Sequence, residues 1–326
     1  MASPGVTELA TTTLRSRTRK LADNYTTNNA LLMRLREREN VVTFDGGRTI
    51  LEELFYAENS TYTRYSGYDI LNITPQDVIT AAEFDIKQVA VSVSMSGTEE
   101  IQNSGRERVI DWLAARIENA EGSMMNGLSD DIYSSGTASG GKQIGGLQLI
   151  VADTPTNTVG GIDANTWTFW RNISYDATTD GGAPVTAANI QTYMDKVVVQ
   201  VVRGRDRPDL IIADNNYYTA YLQSLQAIQR ITSTNMAAAG FTAIKYFGAG
   251  ADCDVVLDGG IGGGCPSNHM YFLNTKYLRL RPFTGRDMTV LGDDRYSVNQ
   301  DAFVRIVGWA GNMTTRGREF QAVLKD

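Results

Sequence analysis

Residues 104–133 place the strongest single constraint on what this chain can fold into. Val109, Leu113, Ile117, Ala120, Met124, Leu128 and Ile132 follow one another at steps of four, four, three, four, four and four. That spacing lays one apolar stripe along a helix of about seven turns, at ~3.6 residues per turn. Ser104 and Glu107 form an S-x-x-E capping box at its start. Gly136 stands where a left-handed residue would end it. Such a helix is well above the globular mean of about 11–12 residues, so the fold has to be laid out along it.

The segments on either side are unlike each other. Residues 1–20 have no apolar period and read as an extended arm. "NNALLMRLRERENV" (28–41) reads as a short helix with Leu31, Leu32 and Leu35 inward and Asn28 or Asn29 as cap. Residues 46–57 start at a turn and run into a strand. In 77–97 Phe84 and Ile86, then Val89, Val91, Val93 and Met95, alternate as a long strand, with a phase slip at Lys87–Gln88 that reads as a bulge. Residues 46–95 therefore read as two long strands with a polar, Tyr-rich tip. After the helix come a glycine loop (134–146), a strand in "LQLIVAD" (147–153) and an irregular aromatic run (165–176). A helix follows at 186–204, with Ile190, Met194, Val197, Val198 and Val201 inward, then a strand and helix in 208–231. Short strands and a strand-like tail complete the chain.

The glycine loop poses the first chemical question. "SSGTASGGKQ" holds G-x-x-x-x-G-K at Gly136, Gly141 and Lys142, but Gln143 stands where a phosphate-binding loop needs Ser or Thr. A working loop lies between a strand and a helix, so that helix amides point at phosphate. Here a helix comes first. The run reads as a helix stop and a tight return, with a nucleotide-binding enzyme as the rejected rival. Cys253, Cys265 and His269 supply three zinc-type ligands where a structural site wants four. His269 is the only histidine, and no G-x-S-x-G elbow accompanies it. Asp130–Asp131 and Asp293–Asp294 read as turn residues. "RGRDRPD" (203–209) reads as a cationic helix end. The sequence thus offers no catalytic, cofactor or metal residues, and it reads as a non-enzyme.

Charge narrows the class further. Residues 1–43 carry seven basic groups against four acidic ones, +3, and the remainder carries −10. A basic arm on an acidic body suits contact with nucleic acid or with the acidic face of another copy. The negative total argues against a dedicated DNA-binding protein. No run of 18 apolar residues predicts a membrane span, the N-terminus lacks a secretory apolar core, and two cysteines imply no disulfide framework. An arm and a long apolar hairpin bury little against their own chain, so the layout implies assembly.

In this order of segments the sequence resembles the major capsid proteins of tailed double-stranded-DNA bacteriophages with the HK97-like fold. The residues that carry it are "EFDIKQVAVSVSMS", "SGRERVIDWLAARIENAEGSMMNGL", "DIYSSGTASGGKQIGGL", "PDLIIADNNYYTAYLQSLQ", "NHMYFLNTKYLRLRP" and "SVNQDAFVRIVGWAGNM". They cover nearly the whole chain from about residue 28. The resemblance implies an α+β fold: an N-terminal arm (1–43), an extended loop (44–83), a peripheral domain (84–147 and 286–326, with spine helix 104–133) and an axial domain (148–285). It implies pentamers and hexamers of an icosahedral shell around the phage genome, located in the virion and assembled in the bacterial host cytoplasm. An encapsulin-like compartment shell, or another self-assembling virion component, is the alternative. Tyr56, Tyr62, Tyr65 and Tyr68 are then candidate interface anchors, against packing inside the loop itself. Arg15, Arg17, Arg19 and Lys20 face packaged DNA, non-specifically, or an acidic neighbour. The short arm implies a separate scaffolding protein, alongside a portal and, in some shells, a decoration protein. Some relatives crosslink through a lysine of the extended loop. No lysine lies between Lys20 and Lys87 here, so that chemistry is predicted absent.

Overall fold

The structure is a computed structural model, and it describes residues 29–102, 112–225, 244–248, 250–258, 264–291, 295–296 and 301–326. The capping box at Ser104 and Glu107, and the first part of the stripe, lie outside the described residues. From Trp112–Ile132 the helix is present (α3, after α1 at Ala30–Glu37 and the short α2 at Gly97–Gln102). Ala120, Met124, Leu128 and Ile132 are buried as the stripe requires. The chain then stops at a turn, with Gly136 at φ 73°. It folds back so closely that a Cβ on Gly146 would lie 2.2 Å from the Ile132 carbonyl oxygen.

Two sheets organise the described residues. The first is built on β14 (Ala302–Thr315), which pairs antiparallel along β3 (Lys87–Ser96) from Gly311↔Lys87 to Ala302↔Ser96. On its other side β14 pairs with β11 (Leu278–Pro282), and with the two-residue strands β12 (Thr289–Val290) and β13 (Arg295–Tyr296). The second sheet has six strands in the order β6-β15-β10-β7-β9-β8. These are β6 Ile173–Asp176, β15 Ala322–Lys325, β10 His269–Leu273, β7 Leu210–Ala213, β9 Ala251–Leu257 and β8 Ile244–Gly248. Helices α5 (Ile190–Val201) and α6 (Asn215–Ser224) cover one face. Asp214 caps α6, accepting from the Tyr217 amide.

The central strands of the second sheet are buried on both faces, which is why they read as continuous apolar runs. Alternation then sorts their side chains between two cores. Leu210, Ile212, Tyr271, Leu273 and Val323 join one core with α1, α3 and the short helix α4 (Leu147–Ile150). Ile211, Ala213, Met270, Phe272 and Leu324 join the other, beneath α5 and α6. All five residues read as inward on 186–204 are buried there.

Two expectations are corrected. "LQLIVAD" is not a strand: Leu147 and Ile150 form one face of α4, and a four-residue apolar run carries no period that separates the two. Residues 77–97 are not one strand. β2 (Ile79–Asp85) and β3 belong to different sheets, and the phase slip marks the crossing. Asn312 pins it, donating to the Asp85 carbonyl at 2.8 Å while accepting from the Gly145 amide at 3.1 Å. The short helix expected in 28–41 is present as α1 and packs into the body. Asn29 caps α1, Ala30, Leu31, Leu32 and Leu35 are buried, and Arg34 pairs with Asp209 and Asp254. In the tail, β14 pairs with β3, whereas β15, with Ala322, Val323 and Leu324 buried, lies between β10 and β6 in the six-stranded sheet.

One buried cation ties these parts together. Arg318 is 0% exposed and has no carboxylate partner among the described residues. Its guanidinium donates to the carbonyls of Ile150 (2.7 Å), Trp170 (3.0 Å) and Asn157, and to the side-chain oxygens of Asn157 (2.7 Å) and Asn172 (2.9 Å). Burial pulls its pKa down to about 10.

Candidate assembly interface

The long hairpin is β1 (Thr49–Phe55) paired with β2 in the register Thr49↔Asp85 to Phe55↔Ile79. Its inner and outer faces differ sharply. Inward, Ile50, Leu54, Ala82 and Phe84 form a small core with Phe44, Val159, Ala164 and Trp170. The partner surface comes from a tight two-strand turn, β4 (Thr158–Val159) and β5 (Ile162–Asp163). Gly160 and Gly161 sit between them at positive φ, 58° and 74°, as a two-residue hairpin turn demands. Gly160 touches Phe84 and Ala82 so closely that a Cβ would lie 2.9 Å from the Ala82 methyl carbon. Its carbonyl accepts the Glu83 amide at 2.9 Å. The hairpin base therefore has its own core, contrary to the expectation that the whole loop buries little in its own chain.

At the centre of the inner face stands Glu52, 0% exposed. Three arginines surround it. Arg316 donates through Nε, Arg281 Nη1 lies at 3.1 Å and Arg279 Nη1 at 3.6 Å, and the Thr314 hydroxyl donates at 3.1 Å. Arg279 and Arg281 alternate along β11, and Arg316 follows β14. The cluster is a latch that holds the hairpin against the β11–β14 sheet. Burial, then repulsion from Arg316, lowers the pKa of Arg279. The sequence carried a signal that was missed: a carboxylate on the inward register between Ile50 and Leu54, and the Leu–Arg alternation of "LRLRP".

Outward, Leu51 (54% exposed), Phe55 (77%) and Ile79 (62%) face solvent. So do Ile70, Ile73, Tyr62, Tyr65 and Tyr68 at the tip, Tyr68 completely. The tip is shaped by side-chain turns at Asn59, Asp69 and Asn72, and closed by Ser60 donating to Gln76 at 2.7 Å. This apolar surface has no cover among the described residues, and surfaces of this kind mark binding sites. Tyr56 differs from the other three candidates. Its ring is half-buried, edge-on to Trp167 at 5.6 Å and near Phe169 at 6.1 Å, so its packing is internal. Arg15, Arg17, Arg19 and Lys20 lie outside the described residues.

Among the described residues the remaining candidates do not converge on one site. Lys142 is exposed on the return turn, and Gln143 donates to Asp131 at 2.8 Å. Cys253 is buried in the core beneath α5 and α6, its thiol donating to the Pro208 carbonyl and its pKa raised to about 12 by burial. Cys265 packs on the other core, so the two thiols lie on opposite faces of the sheet. His269 faces Asp153 at 3.2 Å and the Ser267 carbonyl at 2.7 Å. Among the described residues no group of three His, Cys, Asp or Glu is placed to hold a metal. No helix among them is long and apolar enough to cross a membrane. In "RGRDRPD" the cations are used locally, Arg203 on Glu319 at 2.8 Å and Arg207 on the Gly250 carbonyl. Asp293 and Asp294 lie outside the described residues.

No protein-family model matches the sequence, and no curated protein matches it. Solved structures do. The capsid asymmetric unit of cyanophage A-1(L) aligns over 96% of this chain and 96% of its own, with a TM-score of 0.68 at 16% identity. The chain has the HK97-like capsid fold. The capsid of an empty GTA particle aligns over 100% of this chain and 99% of its own, with a TM-score of 0.55 at 10% identity. The holo-SrpI encapsulin of Synechococcus elongatus PCC 7942 aligns over 100% and 96%, with a TM-score of 0.58 at 12% identity. The HK97-like fold thus runs end to end here, on a sequence that shares few residues with the shells it matches.

Proposed function

We propose that this chain is the major capsid protein of a tailed bacteriophage, a structural subunit that self-associates into pentamers and hexamers of an icosahedral shell around double-stranded DNA. The observation that carries it is the joint presence of the HK97-like fold over the full length and a hairpin whose tip and outer face expose apolar residues. A monomer gains nothing from that exposure; a shell subunit covers it with a neighbour. In this reading the 44–83 loop lies over an adjacent copy, with Tyr62, Tyr65 and Tyr68 as contact anchors. The sheet of β3 and β14 with α3 forms the peripheral unit, and the six-stranded sheet with α5 and α6 forms the axial unit beside the five- and six-fold axes. The protein has no catalytic role and needs no cofactor. Assembly takes place in the bacterial cytoplasm with a separate scaffolding protein and a portal, and the shell holds without lysine crosslinks from the loop.

An encapsulin-like shell is the second reading, favoured by the match to the SrpI encapsulin. Electron microscopy with light scattering tests both. Closed shells, or rings of five and six, support a shell protein, and their filling in the native particle (DNA or protein cargo) separates the two. A compact monomer under all conditions, with scaffold candidates added, would end the shell reading.

A further inference from the structure

The turn that joins α5 to β7 carries Arg203, Arg205 and Arg207. Arg203 and Asp206 exchange backbone hydrogen bonds at 2.9 and 3.0 Å, with Gly204 at φ 61°. Arg205 therefore stands at the tip of a tight turn, exposed and without an ion-pair partner among the described residues. The turn is fixed to residues 276–320 by a stack of rings and cations. Arg203 lies over the Phe320 ring at 5.9 Å, Phe320 stacks on Tyr277 at 4.4 Å, and Lys276 lies over Tyr277 at 5.1 Å. Glu319 pairs with Arg203 and Asp206 with Lys276, each at 2.8 Å, while Arg207 donates to the uncharged Gly250 carbonyl. Asp209 is taken up by Arg34 and Arg38. The Arg316 amide donates to the Tyr277 carbonyl at 3.0 Å, so the latch, with three arginines over Glu52, adjoins the turn. Four cations over two carboxylates in the turn, and three over one in the latch, leave an excess of four positive charges on a chain whose total is −7. We propose that this surface binds the phosphate backbone of duplex nucleic acid, as a contact to packaged DNA separate from residues 15–20. The inference rests on the shell reading, which supplies the DNA.

The chemistry selects the ligand. Duplex DNA carries one charge per ~1.7 Å of axis under condensed counterions, and each cation set on a phosphate releases one of them. A guanidinium adds a planar fork that pairs with phosphate oxygens through parallel N–H groups. The side chains of Arg203 and Lys276 are 68% and 64% exposed, so both can reach a backbone passing over the turn. The rings offer no stacking platform. Each is stacked on the other and has a cation over it, Phe320 is buried and Tyr277 is half-buried. Unstacked bases need a free aromatic face, so the surface reads backbone and not sequence. A protein face presents scattered carboxylates. A duplex presents an unbroken row of charge, which engages the turn and the adjoining latch together.

The test follows a fluorescein-labelled duplex of mixed sequence, by anisotropy, as unassembled full-length chain is added at salt from about 50 to 200 mM. The chain carries Arg15→Ser, Arg17→Ser and Arg19→Ser, so that the N-terminal segment does not contribute. The expected slope of log K against log salt is about −3, for three to four phosphates engaged. Arg205→Ser should make the slope shallower by about 1, and Arg205→Lys should restore it. Arg203→Ser, Arg205→Ser and Arg207→Ser together should weaken binding at least about ten-fold, equally on duplexes of different sequence. Arg205 sits at an exposed turn tip, so its Ser variant should melt with the parent; that variant keeps the test readable if the triple one fails to fold. An unchanged affinity and slope in the Arg205→Ser variant, with closed particles intact, would overturn the inference and leave the shell reading standing. The absence of rings or shells from the unaltered chain would instead overturn the shell reading. Loss of all binding on removing Arg15, Arg17 and Arg19 would assign the DNA to that segment and overturn the proposal. A triple variant that binds DNA normally but forms no rings would assign the surface to a second copy and overturn it as well.

Discussion

Replacing Glu52 by Gln keeps the side-chain shape and removes one charge from the centre of the latch. The three arginines around it then face each other over a neutral amide. Removing one partner of a buried ion pair typically costs about 3–5 kcal/mol, because the other charge is left uncompensated. Arg279, Arg281 and Arg316 keep 23%, 16% and 40% of their side chains in solvent, so water relieves part of that penalty. The expected loss is therefore about 3 kcal/mol, at the lower end of the range. Urea unfolding of unassembled chain reads it as a lowered midpoint at unchanged slope. Because Glu52 joins the hairpin to β11 and β14, cleavage by protease within residues 56–78 should also quicken. A second substitution, Arg281→Met, should recover part of the loss by removing one of the crowded cations. If Glu52→Gln costs less than about 0.5 kcal/mol, a typical ceiling for surface substitutions, the latch argument is wrong. If the double variant is weaker by the sum of its parts, repulsion among the arginines is not what the carboxylate relieves.

Arg318→Met should cost about 3–5 kcal/mol by thermal or urea unfolding, since five oxygens lose their donor; a neutral result would mean that water replaces the guanidinium. Asp258 accepts from the Tyr133 hydroxyl, and burial raises its pKa to about 6. The folded state then holds a proton that the unfolded chain releases near 3.8. Its contribution is fully present below pH 3.8 and is lost as pH rises through about 6, a fall on the order of 3 kcal/mol. Asp258→Asn should flatten that part of the stability–pH curve, and an unchanged curve would place the titration elsewhere. Replacing Tyr62, Tyr65 and Tyr68 together by Ser should leave the unfolding midpoint within about 0.5 kcal/mol of the parent while slowing particle formation seen by light scattering; normal assembly would remove them as anchors. Gly146→Ala should lower the yield of folded protein, because its Cβ would meet the Ile132 and Asp131 carbonyls; an unshifted return turn and unchanged yield in that variant would contradict the geometry.

The elements that could be read from sequence are those whose burial is decided by their own period. The stripe Ala120–Met124–Leu128–Ile132, the inward set of 190–201 and the alternation Val89–Val91–Val93–Met95 each name one face. The cap at Asn29 and the stop at Gly136 follow from local backbone chemistry. Local pattern failed where a choice depends on a remote partner. The slip at Lys87 could equally be a bulge or a change of sheet until β14 was placed beside β3. The four residues of α4 held no period at all.

For the candidate interface the division is the same. An α+β layout along one long helix, a Tyr-rich hairpin tip and a basic N-terminal segment on an acidic body are legible in the residues alone. That Tyr56 turns inward onto Trp167, and that Glu52 sits under three arginines from residues 279–316, emerges only once the sheets are packed. Periodicity reports how a residue relates to its own element. A charge cluster is a sum over residues up to 264 positions apart, and nothing in a local pattern carries that pairing.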